Sequence, residues 1–434
     1  SFSLEGGSYG TVSLNLGKSF VSENSDIFVS GSYFSTEGFS AKTDGVENDG
    51  YTSSRISVSG NYYISDENSI SLNMFKQKED GDQDGYDPVS FEFVDKDDEV
   101  FSNDSLGLAT NIEMNSGNVV RNLDFNFFNI DRFYTGPYNY EGTNLEVSFQ
   151  EKRNLGDALL IYGVVAEDEK TLIEGVRKTI NQSHVFSEYL FSDGEKFSFT
   201  VSGRASGHSQ FGGSSTARVN GSYRLPSGTI LRSSLGSGYR APSLYELFAP
   251  YYGNSTLLPE TSVTADVGFE LPIGSNKSSL SATVFETTIS DRIIYDNDTY
   301  AYGQSLMSEK RSGYEVGLTY KVNALSQFDI SFTHTNDGKG NRVQKVPESD
   351  FTLSATTRLP SGVNLSGSLQ SVSGLEDFVS LPDYNIVSIR GSYPLTEDVD
   401  IYVRGENIFD SKYETASGYG TSGQAFYTGF RSKF

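Results

Sequence analysis

An acidic run in the first quarter of the chain offers the clearest set of metal ligands. It reads Asp80-Gly81-Asp82-Gln83-Asp84-Gly85 and matches the D-x-D-x-D-G start of a calcium loop, in which alternate carboxylates present hard oxygens to one ion. A complete EF-hand needs Glu at the twelfth position, where this chain has Phe91, so other loops would have to complete the site. The candidate ligands are Glu47, Asp49, Asp80, Asp82, Asp84 and Asp87, with Asp95 as a further possibility. We expect Ca²⁺ to bind here; the alternative is a solvated acidic loop whose charges repel one another.

A set of tyrosines falls in stretches that the sequence predicts to be loops. Each tyrosine offers a flat apolar face and a hydroxyl, which suits a large ligand with apolar surfaces and hydrogen-bonding groups. The candidate ligand contacts are Tyr51, Tyr86, Tyr251, Tyr252, Tyr295, Tyr300 and Tyr302. The alternative for each ring is packing within a loop or at a membrane interface.

Catalytic chemistry finds little support in the sequence. The histidines His184, His208 and His334 stand apart from one another, and none has the spacing of a metal-binding pair. We interpret His208 as a solvated loop residue. There is no G-x-S-x-G motif and no phosphate-cradling glycine loop. We therefore do not expect an enzyme.

The elements that must position these residues are strands, because apolar residues recur at every second position. Val12, Leu14, Leu16 and Phe20 share one side of a strand, and segments such as Phe197–Gly203 and Val263–Leu271 repeat the pattern. Such segments predict about 22 strands, on the order of ten residues each, the size of a tilted membrane-spanning strand. No long helix is predicted.

The connections between these strands are predicted to alternate strictly between short and long. Short ones contain Gly, Pro, Asn and Asp, as in Pro226-Ser227-Gly228. The long ones are expected near 36–52, 78–103, 131–142, 168–183, 240–259, 290–310, 336–349 and 408–422. This rhythm is typical of an all-β, antiparallel, up-and-down transmembrane β-barrel with short periplasmic turns and long extracellular loops. A soluble sandwich, propeller or β-helix is the alternative, but neither a blade-length repeat nor a linker is visible.

Composition narrows the classes further. The 434 residues carry a formal charge of −24 and contain no Cys, which argues against nucleic acid as a partner and against disulfides or thiolate metal sites. The chain starts as a strand without a visible secretion signal. Phe426, Thr428, Phe430, Ser432 and Phe434 share one face of a closing strand with a terminal aromatic residue, as in bacterial outer-membrane proteins. We expect residues 1–434 to form a single barrel domain, monomeric and surrounded by outer-membrane lipid.

Two stretches resemble the TonB-dependent outer-membrane transporters. Residues 238–247 read GYRAPSLYEL and are followed by Tyr252-Gly253-Asn254 and Leu258-Pro259-Glu260-Thr261-Ser262. Residues 407–414 read NIFDSKYE and are followed by Gly418-Tyr419 and the closing aromatic strand. Both stretches are similar to sequence patterns of that family, and with the strand count the resemblance covers the whole chain.

Within the family, the cobalamin transporters are most similar. Residues 290–298 (SDRIIYDND) and 209–212 (SQFG) resemble their sequences, and those transporters also bind calcium through Asp-rich loops in this part of the barrel. The resemblance implies TonB-energised uptake of cobalamin or another corrinoid, with the tyrosines as substrate contacts. It also implies a globular plug domain that contacts TonB, to which nothing in these residues corresponds. A ferric siderophore or haem receptor is the first alternative, and a passive channel without a plug is the second.

Overall fold

A computed structural model describes residues 1–87, 93–96, 99–135, 139–274, 277–296 and 299–433, and for Tyr86 it describes the backbone alone. The first half of the chain forms β1 (Phe2–Gly7), β2 (Thr11–Val21), β3 (Ser25–Thr36), β4 (Tyr51–Tyr63), β5 (Asn68–Asp82), β6 (Gly85–Tyr86), β7 (Phe93–Val94), β8 (Val100–Ser116), β9 (Val119–Tyr134), β10 (Tyr140–Asn154), β11 (Ala158–Ile173), β12 (Val176–Ser192) and β13 (Phe197–His208). The second half forms β14 (Gly212–Arg224), β15 (Ile230–Arg240), α1 (Leu244–Phe248), β16 (Glu260–Ile273), β17 (Ser278–Ser290), β18 (Ile293–Asp296), β19 (Ala301–Gln304), β20 (Glu309–Asn323), β21 (Ser326–Asn336), β22 (Ser349–Arg358), β23 (Asn364–Ser373), β24 (Tyr384–Pro394), β25 (Val399–Glu406) and β26 (Ala425–Ser432).

These strands build one closed antiparallel barrel of 22 strands, as the sequence predicted. Each barrel strand pairs with its neighbours in the chain, and β1 closes the barrel by pairing with β26, so that Leu4 lies opposite both Leu14 and Phe430. The pairs β6–β7 and β18–β19 are small hairpins within loops. Closure leaves no exposed sheet edge, which a membrane-embedded sheet requires. Within the described ranges, no helix is long and apolar enough to cross a membrane.

The wall is apolar outside and polar inside. Alternation puts Ile56, Val185 and Val263 on the outward face, where they are 66 %, 54 % and 54 % exposed. Residues of the inward face are polar; Asn111 of β8, for example, donates a hydrogen bond to its register partner Asp124 of β9 in the lumen. A soluble protein would bury this outward set, and a membrane barrel presents it to lipid. In the closing strand, Phe426 and Phe430 lie on this outward face; Phe434 lies outside the described residues.

The two ends of the barrel differ, as expected. One end, here called the short-turn rim, has connections of five residues or fewer and carries Ser1. The opposite end, the long-loop rim, carries the segments 37–50, 83–99, 241–259, 291–308, 337–348, 374–383 and 407–424. In outer-membrane barrels the short turns face the periplasm and the long loops face outward from the cell.

Strict alternation of short and long connections was wrong at four places on the long-loop rim. A long loop was expected near 131–142, but β9 ends at Tyr134 and β10 begins at Tyr140. The connections 8–10, 174–175 and 209–211 are tight turns there, and the long loop expected at 168–183 is the two-residue turn Glu174-Gly175, both with positive φ. β11 continues through the charged residues Asp168, Glu169 and Lys170, and β12 pairs with them. Strands that extend above the membrane can carry charge on both faces. The 374–383 loop was not predicted.

The interpretation of His208 as a solvated loop residue was also wrong. His208 ends β13 and is buried, and its Nδ1 accepts hydrogen bonds from the backbone N–H groups of Gln210 (3.1 Å) and Phe211 (3.3 Å). The histidine thus holds the tight 209–211 turn in place.

Candidate functional site

Three loops of the long-loop rim meet beside the barrel seam, where β1 pairs with β26. Thr43 N–H donates to the Gly418 carbonyl (2.9 Å), and Gly420 N–H donates to the Ala41 carbonyl (2.8 Å). Phe93 packs on Tyr419 with ring centroids 4.8 Å apart. The loops 37–50 and 407–424 and the described residues of 83–99 therefore form one connected shelf, although they are far apart in the sequence.

Within this shelf, three carboxylates converge. Glu47, Asp49 and Asp84 each offer one ligand atom, and these atoms all lie within 4.8 Å of one another. The atoms Glu47 Oε1, Asp49 Oδ1 and Asp84 Oδ2 are buried and have no hydrogen-bond partner among the described residues. Buried oxygens without a donor are costly, so this acidic trio is suited to a cation.

The other oxygens of the trio are anchored. Ala41 N–H donates to Asp49 Oδ2 (2.5 Å), and Lys96 N–H donates to Asp84 Oδ1 (3.0 Å). Asp95 frames the loop by accepting hydrogen bonds from Ser40 Oγ (2.9 Å) and Val46 N–H (2.8 Å). Each anchored carboxylate thus keeps one oxygen fixed and directs the other towards its neighbours.

Electrostatics in the trio favour either a proton or a metal ion. Burial, followed by the charge of Asp49 and a hydrogen bond with Asp95, raises the pKa of Glu47 to about 7. Burial likewise raises the pKa of Asp49 above its usual range, and the charge of Asp84 adds to this effect. A divalent cation would offset both the burial of these charges and their mutual repulsion.

The remaining predicted metal ligands lie outside the trio. Asp80 accepts a hydrogen bond from Ser102 (2.7 Å) and pairs with Lys78 (3.1 Å). Asp82 Oδ2 accepts from Gly50 N–H (3.1 Å), so it fastens the end of the 37–50 loop. Asp87 is not a member of the trio. The structure therefore joins Asp84 of the acidic run to the two acids of the preceding long loop.

A second feature of the long-loop rim is the loop 241–259, which folds over β11 and β12. Its helix α1 starts with a capping box in which Ser243 and Glu246 satisfy each other's backbone N–H groups. Leu244 and Leu247 are buried against Ile180 of β12. The loop is therefore held in a fixed position by an apolar contact that includes the hairpin residue Ile293.

Arg240 fastens the base of this loop. It pairs with Glu246 (3.0 Å) and with Glu260 (2.6 Å), so one guanidinium joins the end of β15, the helix and the start of β16.

Tyrosines from this loop and from the β18–β19 hairpin form a cluster. Tyr302 lies edge-on to Tyr295 (5.4 Å between centroids) and to Tyr245 (6.3 Å), and Tyr252 lies 6.2 Å from Tyr295. Backbone contacts fix the arrangement, since Tyr302 N–H donates to the Tyr252 carbonyl (2.8 Å) and Asn254 Nδ2 donates to the Tyr302 carbonyl (2.9 Å). Burial raises the pKa of Tyr302 and of Tyr245, so both hydroxyls remain neutral donors.

The inner wall of the strands that precede β10 carries an aromatic row. It consists of Phe34, Tyr51, Phe101 and Tyr134 from β3, β4, β8 and β9, with successive centroids 6.0, 6.3 and 6.3 Å apart. Tyr134 is close enough to Tyr245 to contribute to the raised pKa of that residue, after burial and the nearer tyrosines. The row therefore ends on the side of the barrel where α1 lies, and aromatic rings line the long-loop rim from β3 to α1.

The predicted tyrosines thus divide into several groups. Tyr252, Tyr295 and Tyr302 join the cluster, and Tyr51 joins the row and donates its hydroxyl to Glu79 (2.5 Å). Tyr251 and Tyr300 have positive φ and are 91 % and 57 % exposed, so they stand at the loop surface. The side chain of Tyr86 lies outside the described residues. Sequence reasoning missed Tyr245 and Tyr134; the first lies within the stretch that resembles the transporter pattern.

A 22-strand barrel with this rim is a known family fold, and the family model described as TonB dependent receptor-like, beta-barrel matches residues 2–408. The chain belongs to this family. It is therefore a barrel of the bacterial outer membrane, and its family consists of transporters and receptors rather than enzymes. The resemblance drawn from the motifs is confirmed.

Curated relatives include the vitamin B12 transporter BtuB of Vibrio cholerae, 24 % identical over 283 residues, which are 63 % of this chain and 46 % of the relative. The iron-regulated outer membrane virulence protein of Vibrio cholerae is 23 % identical over 326 residues, which are 64 % of this chain and 50 % of the relative. The chain thus spans about half the length of the curated relatives it matches. The siderophore receptor PirA of Acinetobacter baumannii shares the fold, with a TM-score of 0.81, 14 % identity, and coverage of 100 % of this chain and 80 % of that one.

Proposed function

We propose that this barrel is the outer-membrane part of an active-transport receptor for a large, scarce nutrient, with cobalamin or another corrinoid as the substrate. The observation that carries the proposal is the aromatic lining of the mouth, formed by the tyrosine cluster together with the aromatic row. A corrinoid has broad apolar edges and amide arms. Flat rings with neutral hydroxyl donors complement both parts of such a ligand.

The sequence relationship supports the same substrate class. A vitamin B12 transporter is among the curated relatives, at 24 % identity over 63 % of this chain. Two stretches resemble cobalamin transporters. Residues 209–212 lie next to α1, and the described residues of 290–298 end β17 and form β18 of the β18–β19 hairpin. These stretches therefore contribute to the surroundings of the tyrosine cluster.

We also propose that Ca²⁺ is held by the acidic trio, with Glu47, Asp49 and Asp84 as ligands. Three buried, unpartnered carboxylate oxygens fit a hard divalent cation, which prefers oxygen ligands. When bound, the ion would offset most of the trio's charge and stiffen the shelf made by 37–50, 83–99 and 407–424. Backbone carbonyls and water can complete such a coordination shell.

A plug domain and TonB are the partners that this function requires. A 22-strand lumen is characteristically plugged, because an open one would pass solutes without selection. We propose that a globular plug occupies the lumen and that TonB acts on it to drive uptake. A reading frame upstream of Ser1 that encodes such a domain would support active transport, and a lumen that conducts freely in the native protein would favour a passive channel.

A ferric siderophore is the second candidate substrate. The iron-regulated relative covers a similar share of this chain, and solved siderophore receptors share the fold. The aromatic catechol rings of a ferric catecholate could also stack on the rings of the mouth.

Binding titrations with the purified chain in detergent separate these candidates. Cyanocobalamin and a ferric catecholate are titrated with and without Ca²⁺, against the wild type, Tyr302→Ala, and the control Tyr393→Ala, which changes an outward ring near the short-turn rim. We expect saturable cyanocobalamin binding that Tyr302→Ala weakens at least about tenfold and the control leaves unchanged. Saturable binding of the ferric catecholate alone would replace the corrinoid with a siderophore.

A further inference from the structure

An ion cluster lies on the outward face of β9, β10 and β11, near the short-turn rim. The register Arg121–Glu151–Tyr162 runs across these three strands, and the outward residue Arg153 lies two positions after Glu151 on β10. On the same face, Leu123, Phe149 and Val164 lie two residues away from the cluster, on the side of the membrane centre. Charged residues are rare and costly where a barrel wall meets lipid, so this cluster requires an explanation.

The cluster is built around a buried carboxylate. Glu151 is only 6 % exposed and accepts hydrogen bonds from Arg121 Nε (2.9 Å), Arg153 Nη2 (2.6 Å) and the Tyr162 hydroxyl (2.6 Å). The two arginine side chains remain 38 % and 42 % exposed. One carboxylate thus positions two guanidinium groups, and the cluster keeps a net positive charge while both guanidinium groups remain partly exposed.

An apolar groove begins directly next to this cluster. It has a volume of about 620 Å³ and is bordered by Leu123, Phe149, Val164 and Val185. The groove forms because small outward residues, Ala166 and Ala205 among them, leave space between the larger side chains. The volume lies within the roughly 300–1,000 Å³ typical of small-molecule sites.

We propose that this surface binds one phospholipid of the periplasmic leaflet, with the phosphate on Arg121 and Arg153 and an acyl chain in the groove. The polar part lies towards the short-turn rim and the apolar part towards the membrane centre, which is the orientation of a lipid in that leaflet. Arginine forks bind phosphate oxygens through paired donors. The Tyr162 ring lies between headgroup and chain, where amphipathic aromatic residues are favoured.

Native mass spectrometry of the detergent-solubilised chain tests the proposal. Phosphatidylglycerol is titrated against the wild type, Arg121→Gln/Arg153→Gln, and Ala205→Leu, which fills the groove. Two controls match these changes: Lys170→Gln/Lys310→Gln removes the same charge from outward positions near the other rim, and Ala355→Leu enlarges an outward residue of β22. Inorganic phosphate is added in a separate arm.

We expect one tightly retained phosphatidylglycerol, at least about tenfold weaker binding in the double arginine variant, weaker binding in Ala205→Leu, and unchanged binding in both controls. Millimolar phosphate should not displace the lipid. Equal lipid binding by the arginine variant and the wild type would overturn the proposal. So would efficient competition by phosphate together with insensitivity to Ala205→Leu, since the cluster would then be a plain anion site.

Discussion

Removing the Glu47 carboxyl should weaken calcium binding and also abolish its dependence on pH. The pKa of this group is raised to about 7, first by burial and then by the charge of Asp49. At pH 6 about nine in ten empty sites would hold the proton, and at pH 8 about one in ten would. Because Ca²⁺ must displace that proton, the apparent association constant should rise about tenfold from pH 6 to pH 8.

Glu47→Gln keeps the size of the side chain but removes both the charge and the titration. We expect its calcium affinity to fall at least about tenfold at pH 8, since one of three carboxylates is lost. The difference from wild type should narrow at pH 6, where the wild-type group is itself protonated. The variant should bind almost equally at both values.

Isothermal titration calorimetry of the purified chain at pH 6, 7 and 8 measures these affinities. Two buffers with different ionisation enthalpies count the protons released, about one half per Ca²⁺ at pH 7. Asp44→Asn is the control, because Asp44 is an exposed acid of the same loop outside the trio. A wild-type affinity that is the same at pH 6 and pH 8, or a tenfold pH dependence that persists in Glu47→Gln, would refute the reasoning.

Three further predictions follow from the loops. In the absence of Ca²⁺, loop 37–50 should open more easily as pH rises from about 4.5 to 7. The raised pKa of Glu47 means that the folded loop binds the proton more tightly than the open loop, and this advantage is lost as the proton leaves. Limited proteolysis of the loop should therefore become faster over this pH range, and a constant rate would contradict the prediction. Leu247→Ala should weaken the packing of α1 by about 2–5 kcal/mol, seen as faster amide exchange at residues 244–248. Unchanged exchange would show that α1 does not depend on its apolar contact. Gly175→Ala should lower the free energy of unfolding by about 1 kcal/mol, because φ is +79° at this residue. The control is Gly303→Ala, where the added methyl group meets open space and φ is not positive. Urea unfolding in detergent should show the loss for Gly175→Ala alone, and equal effects of the two substitutions would contradict the prediction.

The sequence was sufficient for the strands because their signal is local. A period of two identifies an outward and an inward face within a single segment, and turn residues separate one segment from the next. The same reasoning failed at 168–183 because Asp168, Glu169 and Lys170 are charged on both faces. Above the membrane both faces of a strand meet water, so the amphipathic signal disappears while the pairing continues.

The site was only partly predictable because it depends on which strands and loops meet. Asp84 was recognised from its motif, but its partnership with Glu47 and Asp49 depends on how two loops fold against each other. Tyr134 was missed because it ends a strand distant in sequence from the loop tyrosines. The pairing of Arg121 with Glu151 likewise appears only once the register between β9 and β10 is known.

The acidic trio and the aromatic row are mechanically connected through a single peptide. Gly50 ends the 37–50 loop and exchanges hydrogen bonds with Asp82, whose N–H donates to the Gly50 carbonyl (2.9 Å) while its Oδ2 accepts from Gly50 N–H (3.1 Å). The next residue, Tyr51, places its ring in the row between Phe34 and Phe101. An ion that fixes Glu47 and Asp49 therefore restricts the segment that orients Tyr51. Because coupling between two binding sites is reciprocal, a ligand that stacks on the row should raise the affinity for Ca²⁺ by the same factor by which Ca²⁺ raises the affinity for the ligand.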